Sequence, residues 1–407
     1  MMAVGGVAAM STPRIALLIE TSRGYGRQLL RGIVRYARLH GPWGFYVTPG
    51  DFLQAVPRMR SWGGTGIIAR VETPAVARAV LASGVPTIVL GLSDEQLRPE
   101  SPLSRLDEVV SDSHAAGRMA ADHLLERGFR HYAYVGSRGR VWSGRRQEGF
   151  TSRLREARFE PHVYVQPRAR RVAADWEREQ PALAGWLEGL PRPVGVMACN
   201  DERGREVLVA CLHAGLRVPE EVAVVGVDDD ELLCELADPP LSSVVLNAEA
   251  GGYRAAALLD RMMRGERPEP RRILVEPLHV RARRSTEIVA LDDPEVAAAL
   301  HFIHDRGTEA IGVPDVVAAV MISRRALEQR FRAATGRTVH DEIRRVRLER
   351  ACRLLIETNL PVASVADASG FGRVSYLAQS FRQAFGVTPA RYRRRMRDGV
   401  ADPPVVP

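Results

Sequence analysis

Two short runs of side chains carry the chemistry needed to read base edges. From Ser323 to Arg332 the order SRRALEQRFR, wound at 3.6 residues per turn, sets Arg324, Arg325, Glu328, Gln329 and Arg332 on one side and Ala326, Leu327 and Phe331 on the other. Guanidinium forks and amides form paired hydrogen bonds with base edges in a major groove, and an apolar seam seats the helix that presents them. Ser323 suits the N-cap, where its hydroxyl accepts an early backbone N–H. The second run, Val374 to Phe385, turns Ser375, Tyr376, Gln379 and Arg382 outward and Leu377, Phe381 and Phe385 inward. It has fewer charges, which predicts weaker or more shape-dependent readout with Gln379 as its best base contact.

Each run sits in the same frame. GVPDVVAAVMISRRALEQRFRAATG and PVASVADASGFGRVSYLAQSFRQAFG both read as a helix, a tight break and a second helix stopped by Gly. A helix-turn-helix written twice points at DNA. A long helix over about His340 to Glu357 would fix the separation of the two units. Met321 stands in the first turn where such turns commonly hold Gly, so it either keeps an ordinary conformation or strains the turn; Gly370 and Gly372 preserve the freedom in the second.

Upstream, short apolar runs alternate with amphipathic ones. Strands are predicted at Arg14 to Glu20, Trp43 to Val47, Gly66 to Ala69 and Val85 to Gly91, with helices between them that include Phe52 to Trp62. Glu108 to Ser111 is read as opening a second series, with strands at Tyr132, His162, Val194 and Val222 and helices from His114, Arg146, Ala174 and Glu202. Leu246 to Arg264 is a further helix, and Arg271 to Thr286 reads as a terminal strand pair. Such alternation gives parallel sheets covered by helices, here in two tandem lobes with a cleft that is the natural ligand site.

The motifs RRQEGF (145–150), ACNDERG (198–204), VPEEVAVVGVDDDE (218–231), LSSVVLNAEAGGYRAAALL (241–259) and LHVRARRST (278–286) resemble the LacI/GalR-type regulatory core, itself similar to periplasmic sugar-binding proteins. SRRALEQRFRAATG, RLERACRLL, VASVADASGFG and QSFRQAFGVTPARYR resemble the AraC/XylS-type DNA-binding domain. The first strand begins so near the start of the sequence that the usual N-terminal headpiece of the first family is not expected. A sugar core followed by this domain is similar to bacterial regulators of xylose operons. The expected organisation is a two-lobed α/β core over 14–286, a linker over 287–294 and an all-α domain with two helix-turn-helix units over 295–397.

A sugar requires planar groups that hold neighbouring hydroxyls and an apolar face for its C–H groups. Asp228 ends the strand AVVGV on the side where open α/β sheets bind ligands, and Asn200 and Asp201 end VGVMAC in the same way, though Asp228 and Asp201 also suit helix caps. By resemblance Arg146, taken to open its helix, is the sugar-contacting arginine of that lobe. Trp142, placed in a loop, is a candidate to stack, and Ser22, Tyr25, Arg27 and Ser93 follow strands of the first lobe.

The resemblance implies D-xylose as leading ligand, a homodimer on promoter half-sites and contact with RNA polymerase if the protein is an activator; a start without a signal core and the lack of a spanning apolar run lead to the expectation of a cytoplasmic location. A repressor released by another sugar and a sugar-binding protein without regulatory function are the alternatives.

Composition agrees with this reading. Of 407 residues, 57 are Arg and none is Lys, and the net charge is +8. Residues 291–397 hold 18 Arg against 12 Asp and Glu, so the excess lies with the doubled motif, where phosphate neutralisation needs it. RYRRRMR (391–397) supplies much of it. Four cysteines and ten histidines are scattered without metal-ligand spacing, and no nucleophile elbow, phosphate loop or dinucleotide fingerprint is present, so neither cofactor nor enzymatic activity is expected. The start lacks a basic n-region, Met10 is a second possible initiator, and no apolar run reaches spanning length.

Overall fold

A computed structural model describes residues 12–47, 55–166, 172–266, 272–287, 293–309 and 311–398. The chain forms two compact units, Met1–Asp112 with Asn247–Glu276, and Ser113–Leu246 with Pro277–Pro407. The first opens with β1 (Arg14–Leu18), α1 (Gly24–His40), β2 (Gly44–Val47), α2 (Met59–Trp62), β3 (Gly66–Ala69), α3 (Pro74–Ser83), β4 (Thr87–Leu90) and β5 (Asp107–Ser111). The second continues with α4 (Ser113–Leu125), β6 (His131–Val135), α5 (Val141–Glu156), β7 (His162–Tyr164), α6 (Val172–Glu188) and β8 (Val194–Ala198), then α7 (Asp201–His213), β9 (Val222–Val227), α8 (Glu231–Leu236) and β10 (Ser242–Leu246). The chain goes back to the first unit for α9 (Ala248–Met263) and β11 (Arg272–Val275), and rejoins the second as β12 (Pro277–Arg281).

Each unit is built on one six-stranded sheet. The first has the order β11-β5-β4-β3-β1-β2 and is wholly parallel; the second has the order β12-β10-β9-β8-β6-β7 and is parallel except at β12. Strands such as VAVVGV are buried along their whole length because helices cover both faces.

Three expectations are corrected. β5 belongs to the first sheet rather than opening a second series, because it lies between β4 and β11 and its Glu108 receives the Leu92 N–H at 2.9 Å and Arg272 Nε at 3.0 Å. β11 and β12 do not pair with each other; Val275 aligns with Ser111, whereas Pro277 aligns with Leu246. The first lobe is therefore discontinuous in sequence. The helix expected over Phe52 to Trp62 is confined to Met59–Trp62 among the described residues, and its start lies outside them.

Both units use one device to bring two helices together. α1 meets α9 at Gly32 and Gly252, and α4 meets α5 at Gly117 and Gly149; a methyl group at any of the four would collide with a backbone carbonyl of the facing helix.

A buried polar network closes the second lobe where the chain leaves it. Arg127 donates from Nε to the Thr286 carbonyl at 2.7 Å and from NH1 to His123 Nδ1 at 3.0 Å. Since Arg only donates, Nδ1 accepts, and Nε2–H donates to Thr286 Oγ1 at 2.9 Å, which in turn meets Ser242 Oγ at 2.7 Å. Burial, then Arg127, Arg345 and His304, hold the His123 pKa well below its ordinary 6.5. The folded protein keeps this ring neutral while the unfolded chain takes up a proton below pH 6.5, so stability falls as pH drops through that value. The slope approaches about 1.4 kcal/mol per pH unit. Thermal melts between pH 7 and pH 5.5 check this, and His123→Gln is expected to flatten the dependence.

The helical remainder comprises α10 (Pro294–Arg306), α11 (Val313–Val320), α12 (Arg324–Thr335), α13 (Val339–Glu357), α14 (Val362–Ala368), α15 (Val374–Phe385) and α16 (Pro389–Asp398). It holds two apolar clusters. One gathers Val296, Leu300, Val316, Leu327, Phe331 and Ile343, the other Leu348, Leu355, Val365, Leu377, Phe381 and Tyr392. α13 contributes to both and is their shared backbone. Most of the expected linker, 287–294, lies outside the described residues. All four cysteines are buried and free.

Candidate ligand site and nucleic-acid interface

At the carboxyl end of the second sheet, Arg146 is buried, donating from NH2 to Asp228 Oδ1 at 2.8 Å and from NH1 to the Cys199 carbonyl. Burial opposes its charge, but Asp228 and neighbouring groups more than restore it and hold the pKa above its usual value. Its Nε is buried with no hydrogen-bond partner in the protein. Asp228 and Asp229 follow β9 with φ of 105° and 49°, a left-handed backbone that non-glycine residues rarely adopt. Paired strain of this kind is characteristic of functional sites.

Arg146 lies inside α5 rather than opening it, because the helix begins at Val141. Trp142 is in its first turn, not in a loop, and its ring centroid lies 5.0 Å from the Arg146 guanidinium carbon. The spacing of four residues stacks the two on one face.

Asn200 is the N-cap of α7, with Oδ1 accepting Arg203 N–H at 3.0 Å. Asp201 is buried, its Oδ1 accepting Ser243 Oγ–H at 2.5 Å and its Oδ2 the Asp230 N–H at 2.7 Å. Burial, then the nearby Asp228 charge, push its pKa well above the ordinary range. Both of its oxygens serve the framework that shapes the Asp228 loop.

In the first unit, Ser22 is exposed, Tyr25 is half-buried in α1, and Arg27 donates to the Thr21 carbonyl at 2.9 Å. Ser93 and Gln96 hold each other reciprocally, Oγ to backbone N–H at 3.2 Å and Oε1 to backbone N–H at 2.9 Å, a local turn brace. Sequence reasoning missed the pair formed just past β1 and β3. There Arg70 grips the buried Glu20 bidentately at 2.9 and 2.8 Å. Both residues follow strand ends, the same signal that singled out Asp228.

The two helix-turn-helix units present their polar faces as expected. Arg324, Arg325, Gln329 and Arg332 are exposed, Glu328 is half-buried, and Leu327 and Phe331 are fully buried. Ser323 caps α12, its Oγ accepting the Ala326 N–H at 3.2 Å. Arg330 fastens α12 to the start of α10, with two bonds to Asp293 and one to Glu295, all at 2.6 Å. Met321 is left-handed with φ 54°, so the strained alternative holds, at a cost of about 1 kcal/mol.

In α15, Ser375, Gln379 and Arg382 are exposed, Arg382 Nε reaching the Ala378 carbonyl at 3.3 Å. Tyr376 is half-buried against Phe371, with ring centroids 5.4 Å apart. Arg391 and Arg394 of α16 are exposed.

Family models match the chain in three stretches: a XylR N-terminal domain over residues 14–105, a periplasmic binding protein-like domain over 121–286 and a helix-turn-helix domain over 316–395. The Xylose operon regulatory protein of Escherichia coli K12 is 33% identical over 93% of this chain and 96% of its own length. That of Haemophilus influenzae is 31% identical over 93% and 98%. The chain belongs to the xylose operon regulatory protein family. A solved structure described as the xylose-binding transcription activator xylR shares 32% identity and a TM-score of 0.58, covering 93% of this chain and 97% of the other.

Membership makes this chain a DNA-binding transcription regulator with a periplasmic-binding-protein-like sensor core and a C-terminal domain of two helix-turn-helix units. Its relatives are transcription regulators rather than enzymes. No described helix is long and apolar enough to cross a membrane.

Proposed function

We propose that this regulator binds D-xylose and activates genes of pentose uptake and catabolism. It would act as a cytoplasmic homodimer that engages promoter half-sites and RNA polymerase, with sensor residues 14–286, linker 287–294 and DNA-binding residues 295–397. The observation that carries the reading is the pair of buried Arg146 with Asp228 at the carboxyl end of a largely parallel sheet, in a chain whose C-terminal helices form two helix-turn-helix units. Arg146 and Asp228 together offer a donor fork and a carboxylate to neighbouring hydroxyls, and Trp142 beside them offers an apolar face. Asn200, Asp201, Ser22, Tyr25, Arg27 and Ser93 complete the proposed ligand set.

On the DNA side, Arg325, Glu328 and Gln329 are the proposed base-reading residues of the first unit and Gln379 that of the second. Ser323, Arg324, Arg332, Ser375, Tyr376 and Arg382 would support them at bases or backbone. Gln329→Ala is expected to weaken operator binding about tenfold, the lower end of what one good base contact contributes, with no change in sugar binding.

DNA retardation with and without D-xylose tests activation. Tighter operator binding with xylose supports it, and loss of binding would instead mark a repressor. Thermal denaturation against a panel of pentoses and hexoses tests the ligand, because a sugar that binds only the folded state raises the melting temperature.

A further inference from the structure

α13 is held to the second α/β lobe at both of its ends, and one of those holds runs straight back to the candidate sugar site. Near its start, Glu126, just past α4 of the lobe, accepts Arg345 NH1 at 2.7 Å and lies 3.5 Å from Arg337 NH2. Arg345 is in turn held by the buried Glu342 at 2.6 Å and by Glu349, and His304 of α10 lies 3.3 Å from Glu342. At the other end, Glu357 accepts Arg281 NH2 of β12 at 2.5 Å, with His279 Nε2 of the same strand 3.5 Å away.

Arg281 does not stop at the DNA-binding domain. Its NH1 reaches Asp229 Oδ2 at 2.7 Å, and Asp229 also receives Arg283 at 3.0 Å. Asp229 is the neighbour of Asp228, whose carboxylate holds Arg146, and both aspartates are in the left-handed region. A continuous chain of charged contacts therefore leads from Arg146 through the strained Asp228–Asp229 turn to Arg281 and Glu357.

This joint is polar in kind. Among the described residues, the two apolar clusters of the helix-turn-helix units draw on residues from Val296 onward, and the cluster around the second sheet on residues of the lobe. Linked charges with few apolar contacts can shift between discrete arrangements without opening a core, which suits a switch better than a glued interface would. An isolated exposed ion pair contributes little, so a device of this kind must act as a network and at a specific geometry. α13 is also the element on which both recognition helices depend, so a tilt imposed at Glu357 moves both together.

We propose that Asp229, Arg281 and Glu357 are positioning residues that transmit occupancy of the Arg146–Asp228 site to the DNA-binding domain, while Glu126 and Arg345 form the pivot at the other end of α13. The inference rests on that site being the ligand site. Ligand engagement of Asp228 changes the Asp228–Asp229 turn, Arg281 follows its carboxylate, and Glu357 carries the end of α13 with it.

The test measures two quantities on the full chain: the sugar-induced thermal shift, and the ratio of operator affinities with and without D-xylose. Glu357→Gln removes the charge at a half-exposed position. It is expected to leave the thermal shift unchanged and to reduce the affinity ratio at least fivefold, the lower range of an allosteric coupling. Arg281→Met is expected to act in the same direction, and Asp229→Asn combined with Glu357→Gln to give no more loss than either alone, as members of one path do. Glu160→Gln, which breaks an exposed ion pair with Arg155 elsewhere on the lobe, is expected to alter neither quantity.

An affinity ratio unchanged in both Glu357→Gln and Arg281→Met, with the thermal shift intact, overturns the relay while leaving the ligand site standing. A wild-type protein whose melting temperature no sugar of the panel raises overturns the ligand reading and the relay with it. Circular dichroism melts of each variant confirm that the comparison is between folded proteins.

Discussion

Arg146→Met is expected to eliminate the sugar-induced thermal shift while leaving operator binding in the absence of sugar in place. The methionine keeps much of the side-chain volume and removes the donor fork. Two charge-assisted hydrogen bonds to sugar hydroxyls at about 1.5 kcal/mol each correspond to roughly 100-fold in affinity, enough to erase the shift at ordinary ligand concentrations. The substitution also removes the Arg146 charge from Asp228 and the NH1 donor from the Cys199 carbonyl. Arg146 is buried but Asp228 is partly exposed, so the loss falls below the roughly 3 kcal/mol of a fully buried pair, and the variant still melts earlier than the parent. A preserved shift with D-xylose would move the ligand site away from Arg146. Titration calorimetry and thermal melts on the same samples separate lost binding from lost stability.

The second large effect is expected at Phe331→Ala. Phe331 is fully buried in the first helix-turn-helix cluster with Leu327, Val316 and Ile343. Phe→Ala in a closed core costs about 3–5 kcal/mol, and this cluster is small and has no other aromatic ring of comparable burial. The first recognition helix should therefore lose its seat, and operator binding with it, while the sugar-induced shift of the α/β core survives. Calorimetry is expected to resolve a low-temperature transition that the parent lacks. Gln329→Ala, two residues away on the opposite face of the same helix, is the contrast, since an exposed side chain can be lost from the DNA contact without changing the melt.

The doubled helix-turn-helix was legible because its signals are local. Cap, apolar period and glycine stop lie within about 25 residues, and α15 falls at Val374–Phe385 where the sequence placed it. Sheet membership was not. DEVVS reads as a strand wherever it stands, and only pairing with β4 and β11 decides that it belongs to the first sheet. The same holds for RILV and PLHVR, adjacent in sequence but hydrogen-bonded in different sheets.

The start of α12 was legible because Ser323 marks it with a capping side chain; at α7 the cap is Asn200, one residue before the Asp201 that the sequence favoured, and the start of α5 was missed because its N-cap Arg140 makes no side-chain cap bond. Arg146, named by resemblance as a sugar-contacting residue, was thus assigned the wrong place in its helix, and its burial and its pairing with Asp228 were not foreseen. Ion pairs between distant positions, such as Glu126 with Arg345 or Arg281 with Glu357, leave no trace in a single sequence, because each residue alone reads as one more solvated charge.

The buried cysteines have a practical consequence. Burial raises the pKa of Cys199, carries Cys211 and Cys352 to about 12 and raises that of Cys234 as well, so none of the four offers a reactive thiolate at neutral pH. The sequence holds no lysine to compete for amine reagents either. A single cysteine introduced at an exposed site, such as Met321 or Leu232, would take up a spectroscopic probe selectively. The native protein is thus already a clean background for distance measurements, in which the movement of a recognition helix on adding sugar could be followed without first deleting a residue.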